Sequence, residues 1–255
     1  MKVYITVAYI LIFFSNTVFS QSKPIIHEGE ILFQKRVNAY AILDEFYVNN
    51  ATFNRNKFAE NYKSGNPQFG VTNFTLLFND HVTLYSPNSK IANTPEVSLL
   101  QMLKIVYSDL TKNTFIAKKT IFDQDYLVGD TSDKVEWKIT NEMKDIAGFS
   151  CRRANAIIMD SVYVVAFYTD RIVPRGGPEF IKGLPGMVLG VALPHEHMSW
   201  FATQVTAKQV PHDQIKPPSG GEAINNAKLR QALRDNSIIK QDKKTADLFI
   251  RNYLY

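Results

Sequence analysis

The sequence predicts a mainly β protein with flanking helices, an α+β chain built on one bent antiparallel sheet or half-barrel. Three observations predict it. Apolar and polar residues alternate with period two through most of the chain, the signature of half-buried strands. Gly, Asp or Asn punctuates most junctions between runs, as in Val128-Gly129-Asp130 and Met159-Asp160-Ser161. Aromatic residues are abundant, with 17 Phe, 12 Tyr and 2 Trp, and they favour strands. With 45% apolar and 21% charged residues over 255 positions, the composition is globular. That excludes collagen-like, low-complexity and disordered architectures for most of the length.

The N-terminus reads as a leader. Lys2 supplies a positive start, residues 7–14 form a short apolar run, and small Ser20 precedes Gln21. This is the pattern of a signal peptide over residues 1–20. Its apolar run is shorter than the roughly 20 residues a spanning helix needs. No later segment is long and apolar enough to span, so the mature chain is expected without a transmembrane span. The expectation is an exported protein, located in the periplasm, associated with the outer membrane or secreted. Residues 21–255 are expected to form a single β-rich domain. The net charge of +5 is mild and spread along the chain, which gives no argument for nucleic acid. Cys151 is the single cysteine, so no intramolecular disulfide can form, and its reading is a small buried hydrophobe.

The elements follow in order. Residues 29–37 place Ile31, Phe33 and Val37 on one strand face. Residues 38–47 fit either a helix or a return strand, and 49–66 read as a polar surface excursion. Phe74, Leu76 and Phe78 alternate with polar neighbours before the turn Asn79-Asp80-His81 and the run 82–85, which predicts a hairpin. Thr94-Pro95-Glu96 is a helix start, with an N-cap, Pro at the first position and acid in the first turn, and it predicts a helix over 95–110. Further strands are expected over 114–120, 126–128, 135–140, 151–158, 162–169, 187–193 and 199–210. The run Pro217-Pro218-Ser219-Gly220-Gly221 is expected to end the sheet, with C-terminal helices from about 222 divided at Asp235-Asn236-Ser237. The picture is a sheet curling around a helix, and its pattern resembles periplasmic lipoprotein-carrier half-barrels. No internal repeat and no long linker interrupts the chain.

The most informative string is Gly183-Leu184-Pro185-Gly186-Met187-Val188, followed by Leu189-Gly190-Val191. Pro then Gly at the centre predicts a type II turn, with Pro185 presetting φ and Gly186 supplying a positive one. The strand that leaves it is apolar on both faces and is expected inside the structure.

This string resembles the signature of the GLPGLI family, exported proteins found widely in Bacteroidetes, with Met187 and Val188 in the last two motif positions. The segments Trp137-Lys138-Ile139, 144–154 and 166–174 are similar to the family's preceding blocks, although Arg171 and Val173 depart from its usual wording. Gly177-Pro178-Glu179-Phe180, Trp200-Phe201-Ala202-Thr203 and the hairpin over 74–85 also fit. The resemblance implies an exported, non-catalytic cell-envelope protein near TonB-dependent outer-membrane transport systems. It implies a binding role, toward an apolar or peptide-like ligand or an outer-membrane protein partner. It carries over no catalytic residue.

Chemistry-bearing residues offer one alternative, a periplasmic metal-binding protein. In His195-Glu196-His197, two imidazoles two apart on extended chain would point the same way and could hold Cu, Zn or Ni with a third ligand from His81, His212 or Cys151. A hydrolase finds less support. No G-x-S-x-G elbow and no H-E-x-x-H helix is present, and Asp123 and Asp125 fall in an expected turn. Phe33, Phe74, Phe78, Trp137 and Trp200 read as core.

Overall fold

The computed structural model describes residues 24–48, 55–88, 104–121, 124–159 and 161–235. The leader over 1–20, the helix start at 94–96, Asp123 and the second C-terminal helix lie outside the described residues.

The first half of the chain is a strand meander. Strand β1, Gly29–Asn38, is followed by helix α1, Ala39–Val48, and α2, Arg55–Gly65. Then come β2, Phe69–Phe78; β3, Val82–Pro87; β4, Lys104–Asp109; β5, Thr114–Ile121; and β6, Gln124–Thr131. A second meander follows with β7, Lys138–Ile146; β8, Phe149–Ile158; β9, Val162–Thr169; β10, Met187–Leu193; and β11, Met198–Ala207. Strand β12, Glu222–Ile224, and helix α3, Asn226–Asp235, complete the described chain.

The twelve strands of the described residues form one open sheet in the order β12-β6-β5-β4-β3-β2-β1-β11-β10-β9-β8-β7. The two meanders therefore join where β1 pairs with β11, from Gly29↔Ala207 to Val37↔Met198. Neighbours are antiparallel except β12 on β6, which is parallel. The period of two fixes which face is inside. In β1, residues 29, 31, 33, 35 and 37 are buried, and in β2, residues 70, 72, 74, 76 and 78. The outer edge strand β7 is mostly exposed and breaks register between Ile139 and Met143. Together with its Lys138 and Lys144, that bulge blunts the edge against further pairing.

Part of the sheet's inner face is covered by chain that is not helical. The connection from β9 to β10, residues 170–186, crosses the inner face as extended and turning chain. Ile26 N–H donates to Arg171 O at 2.8 Å and Val173 N–H to Ile26 O at 2.9 Å, which ties its start to the N-terminal segment. Its far end reaches the opposite strands. Phe180 packs edge-on against Phe115 of β5, with centroids 4.9 Å apart. Ile172, Leu184, Met187 and Leu189 are fully buried in the core.

Three further expectations are corrected, and one open alternative is resolved. Residues 104–109 form strand β4 rather than the end of a helix. Lys104, Val106 and Ser108 face inward while Ile105, Tyr107 and Asp109 face outward, so the apolar residues read as helical actually alternate between a strand's faces. The excursion over 49–66 contains α2. The helical alternative for 38–47 holds: Asn38 Oδ1 accepts from Ala41 N–H at 3.1 Å, a side-chain cap that starts α1. Tyr40 Oη donates to Lys63 O and Asn66 O, docking α2 on α1. Finally, residues 222–224 are strand rather than helix, so the Pro/Gly run at 217–221 does not end the sheet. Helix α3 starts one turn later, where Asn225 Oδ1 accepts from Lys228 N–H at 2.9 Å, and it buries Leu229 and Leu233.

Candidate functional site

Charged residues occupy inward positions on three strands. Lys35 on β1, Lys104 on β4 and Lys119 on β5 are each 2–3% exposed. Parity puts them there. Lys35 lies between Phe33 and Val37 on the buried face, and Lys119 lies between Ala117 and Ile121. Glu179 comes down onto them from the crossing segment. Lys35 Nζ donates to Glu179 Oε1 at 3.1 Å, and Lys104 Nζ stands 3.5 Å from Oε2. Glu179 takes left-handed backbone, φ +52°, a strained conformation for a residue with a Cβ.

Aromatic rings wall the cluster. Lys35 Nζ lies 4.7 Å from the Trp200 ring and Lys119 Nζ 4.9 Å from the Phe180 ring, distances at which a ring face attracts a cation. Tyr85 stacks on Phe74 at 4.6 Å and meets Phe33 edge-on at 6.3 Å. The hydroxyl of Tyr85 and the indole nitrogen of Trp200 are buried and have no hydrogen-bond partner among the described residues.

The cluster shifts the acidity of its members. Burial by itself would raise the Glu179 carboxyl, but the charges of Lys104 and Lys35, the Lys35 hydrogen bond and the charge of Lys119 hold it at about 2. Burial pulls Lys104 down to about 8, against the opposing charge of Glu179. Burial and the like charge of Lys104 push Lys119 well below its ordinary value. Burial and the Glu179 charge raise Tyr85 well above its own. A small cavity of about 40 Å³ adjoins Glu179 and Trp200, lined chiefly by Ile158, Met159, Ile181 and Val191.

The string 183–188 holds this arrangement in place. Its turn is tighter than a type II turn. Gly186 N–H donates to Leu184 O at 2.7 Å, closing a three-residue turn about Pro185, while Met187 N–H goes to Ile172 O rather than back to Leu184. Gly186 has φ +151° as expected in sign, and a Cβ there would stand 2.1 Å from Thr169 O. Strand β10 then runs buried, as its two-sided apolar pattern predicts.

The metal candidates stand elsewhere and not as expected. Residues Pro194–Glu196 form one 3₁₀ turn between β10 and β11, and His197 is left-handed with φ +55°. The chain is not extended there, so alternation does not align the two imidazoles. His195 is exposed, and His197 Nε2 lies 3.6 Å from Glu45 Oε2 on α1. His81 is exposed in the β2–β3 turn and His212 is exposed after β11. Cys151 is buried on β8. Among the described residues no group of three His, Cys, Asp or Glu side chains converges.

His197 instead borders an outward groove of about 280 Å³ where β1, β2 and β11 end, with Arg36, Asn38, Phe69 and Ser199 around it. The Arg36 guanidinium lies 4.6 Å from the Phe69 ring. Phe69 and its neighbour Val71 are 40% and 41% exposed.

Sequence reasoning missed Lys35, Lys104, Lys119 and Glu179. A usable signal existed for two of them, because Lys35 and Lys119 interrupt the buried parity of otherwise apolar strand faces. Lys104 was hidden by the helix reading of its segment.

No family model matches the chain, and no curated protein matches it. Solved structures do. PNGF-II in a P21 crystal form superposes with a TM-score of 0.50 at 15% identity, covering 80% of this chain and 32% of that one. PNGF-II in a C2 form gives 0.52 at 14% identity with the same coverage. The chain thus spans about a third of the length of those structures. The likeness is one of fold, a β-rich architecture with a large sheet.

Proposed function

We propose that this chain is an exported, non-catalytic cell-envelope protein of the GLPGLI type that docks an extended peptide segment of an outer-membrane partner in its outer groove. The groove of Arg36, Phe69 and His197 carries the reading. An exposed aromatic under a guanidinium is the composition of an interface anchor, and the basic Arg36 favours a segment with carboxylates beside its apolar residues. The interior gives less support to an enclosed apolar ligand. The crossing segment fills the bend, and the cavity of about 40 Å³ is far below the roughly 300–1,000 Å³ of ligand pockets. The bent sheet then serves as a frame, as in lipoprotein-carrier half-barrels, with its concavity closed by the chain itself.

A photocrosslinking residue at position 71 tests this in the native envelope. It should trap one defined envelope protein, and the pair Phe69→Ala and Arg36→Ala should abolish that adduct without lowering the Tm. A crosslinker at Ile157, exposed on β8, should not trap the same protein. Equal yields from both positions, or an adduct that survives the double variant, would overturn the docking site. Recovery of the chain with cytosolic proteins would overturn export.

A further inference from the structure

We infer that the outer groove holds the very end of its partner segment, a free C-terminal carboxylate on an apolar or aromatic last residue. This rests on the docking role proposed above and names which part of the segment the groove takes. Strand register sets out the donors. Arg36 of β1 pairs with Ser199 of β11 on one side and Val71 of β2 on the other, and Asn38 pairs with Phe69. The Arg36 guanidinium therefore reaches diagonally to the Phe69 ring, 4.6 Å away. Among the described residues it has no acidic partner. Asn38 spends its amide oxygen on the Ala41 N–H, and its amide nitrogen can only donate. The Ser199 hydroxyl can donate as well. Glu45, which meets His197 Nε2 at 3.6 Å, is not part of the lining.

This donor set suits a carboxylate, because a guanidinium fork can take both of its oxygens at once. Apolar surface begins at the same place, with Phe69 on one side of the groove and Leu193 and Pro194 on the other. A ligand must therefore bring charge and an apolar side chain close together. Along an extended segment, an acid and its neighbour point to opposite faces, and two side chains on one face stand about 7 Å apart. A C-terminal residue carries both groups on one Cα. Size agrees. The groove has about 280 Å³, just under the roughly 300–1,000 Å³ of small-molecule pockets, which is room for one large residue. Place agrees too. The groove lies where β1 ends, between the turn at Pro194 and the start of α1, a stop for a segment entering over the sheet.

The test uses the full chain from residue 21 and three fluorescein-labelled hexapeptides, followed by anisotropy. One ends in Val-Thr-Phe with a free carboxylate. The second is its C-terminal amide. The third is an amide with Glu-Phe in its interior, matched in net charge to the first. The free acid should bind saturably. The amide should bind about tenfold or more weakly, as expected for a lost hydrogen bond to a charged group, and the internal acid no better than the amide. Arg36→Gln should bind acid and amide alike at an unchanged Tm. Arg36→Lys keeps the charge without the fork and should recover only part of the acid preference. An internal acid that binds as tightly as the free one overturns the end-specific site and leaves docking of the segment standing. Equal binding of acid and amide by the parent does the same. An acid preference that survives Arg36→Gln overturns the site as well. Binding by none of the three peptides overturns it too, and the adduct from position 71 then decides separately whether this face docks a protein.

Discussion

Lys35 and Glu179, 144 residues apart in sequence, meet through a buried hydrogen bond of 3.1 Å that fastens the crossing segment to the first strand. The bond has a direction that no apolar contact could supply. It fixes Glu179 under strand β1, and through Glu179 it fixes Phe180 against Phe115 and the turn that launches β10.

The first prediction follows from that pair. Removing one partner of a buried ion pair leaves a charge without compensation, which costs about 3–5 kcal/mol. Glu179→Gln should therefore destabilise the fold by that order. The exposed pair of Arg153 and Glu142 supplies the control, since exposed pairs are worth about 0–1 kcal/mol. Denaturant unfolding of Glu179→Gln and Glu142→Gln compares them directly. Equal midpoints would refute the anchoring role.

The second prediction concerns pH. The Glu179 carboxyl lies at about 2 in the folded chain against an ordinary 4.5. Its contribution to stability is therefore complete above pH 4.5 and is lost as pH falls toward 2. Lys104 acts on the alkaline side. Its folded value of about 8 lies below the ordinary 10.5, so the unfolded chain binds more protons between those values, and stability rises with pH across that window. Unfolding free energies measured from pH 2 to 11 should show both slopes. Glu179→Gln should flatten the acid limb, and Lys104→Met should flatten the alkaline rise. An acid limb unchanged in Glu179→Gln would assign it to other carboxylates.

The third prediction concerns the lone thiol. Cys151 is fully buried, and its Sγ–H donates to Phe149 O at 3.4 Å. Burial, with the nearby charge of Asp145, pushes the thiol up to about 12. Both access and thiolate are thus denied to an electrophile. A bulky maleimide at pH 8 should leave the native thiol unmodified and label it within minutes in denaturant. Cys151→Ala should cost about 1 kcal/mol, in the range of small core truncations. Rapid labelling of the native protein would contradict the burial.

Period two made the sheet legible. The hairpin of β2 and β3, the buried run of β10 and the inward Cys151 all follow from local alternation. What alternation cannot carry is pairing at a distance. The junction of β1 with β11 joins residues far apart in the chain, and no local pattern announces it. Residues 104–109 misled for a related reason, since a short apolar run fits a helix and a strand equally until its neighbours are known. The candidate site was the least legible part. Glu179 reads as an ordinary loop acid until three distant lysines arrive on the same inner face. His195 and His197 misled in the opposite sense, because their alignment assumed extended chain where Pro194 begins a 3₁₀ turn.

The last prediction concerns Gly186, where two separate constraints coincide. The backbone there has φ +151°, and conformations of this kind cost residues with a Cβ about 1–3 kcal/mol. The second constraint is space. A Cβ would stand 2.1 Å from Thr169 O and 2.8 Å from its carbonyl carbon. Those atoms are backbone of β9, paired with Met187 in the sheet, so they cannot step aside without opening the β9–β10 pairing. Gly186→Ala should therefore exceed the strain value alone, and Gly186→Val should be worse. Pro185 sits one residue earlier yet is exposed. Pro185→Ala loses mainly the restriction of the unfolded chain, about 0.4–1 kcal/mol. Thermal melts should rank Gly186→Val as the most damaging, Gly186→Ala next and Pro185→Ala last. The same damage should reach the lysine cluster, because the turn at 184–186 sets where residue 179 falls. In Gly186→Ala the acid limb that belongs to Glu179 should shrink along with the Tm. If Gly186→Ala melts like the parent and keeps its acid limb, the turn is not what positions the crossing segment.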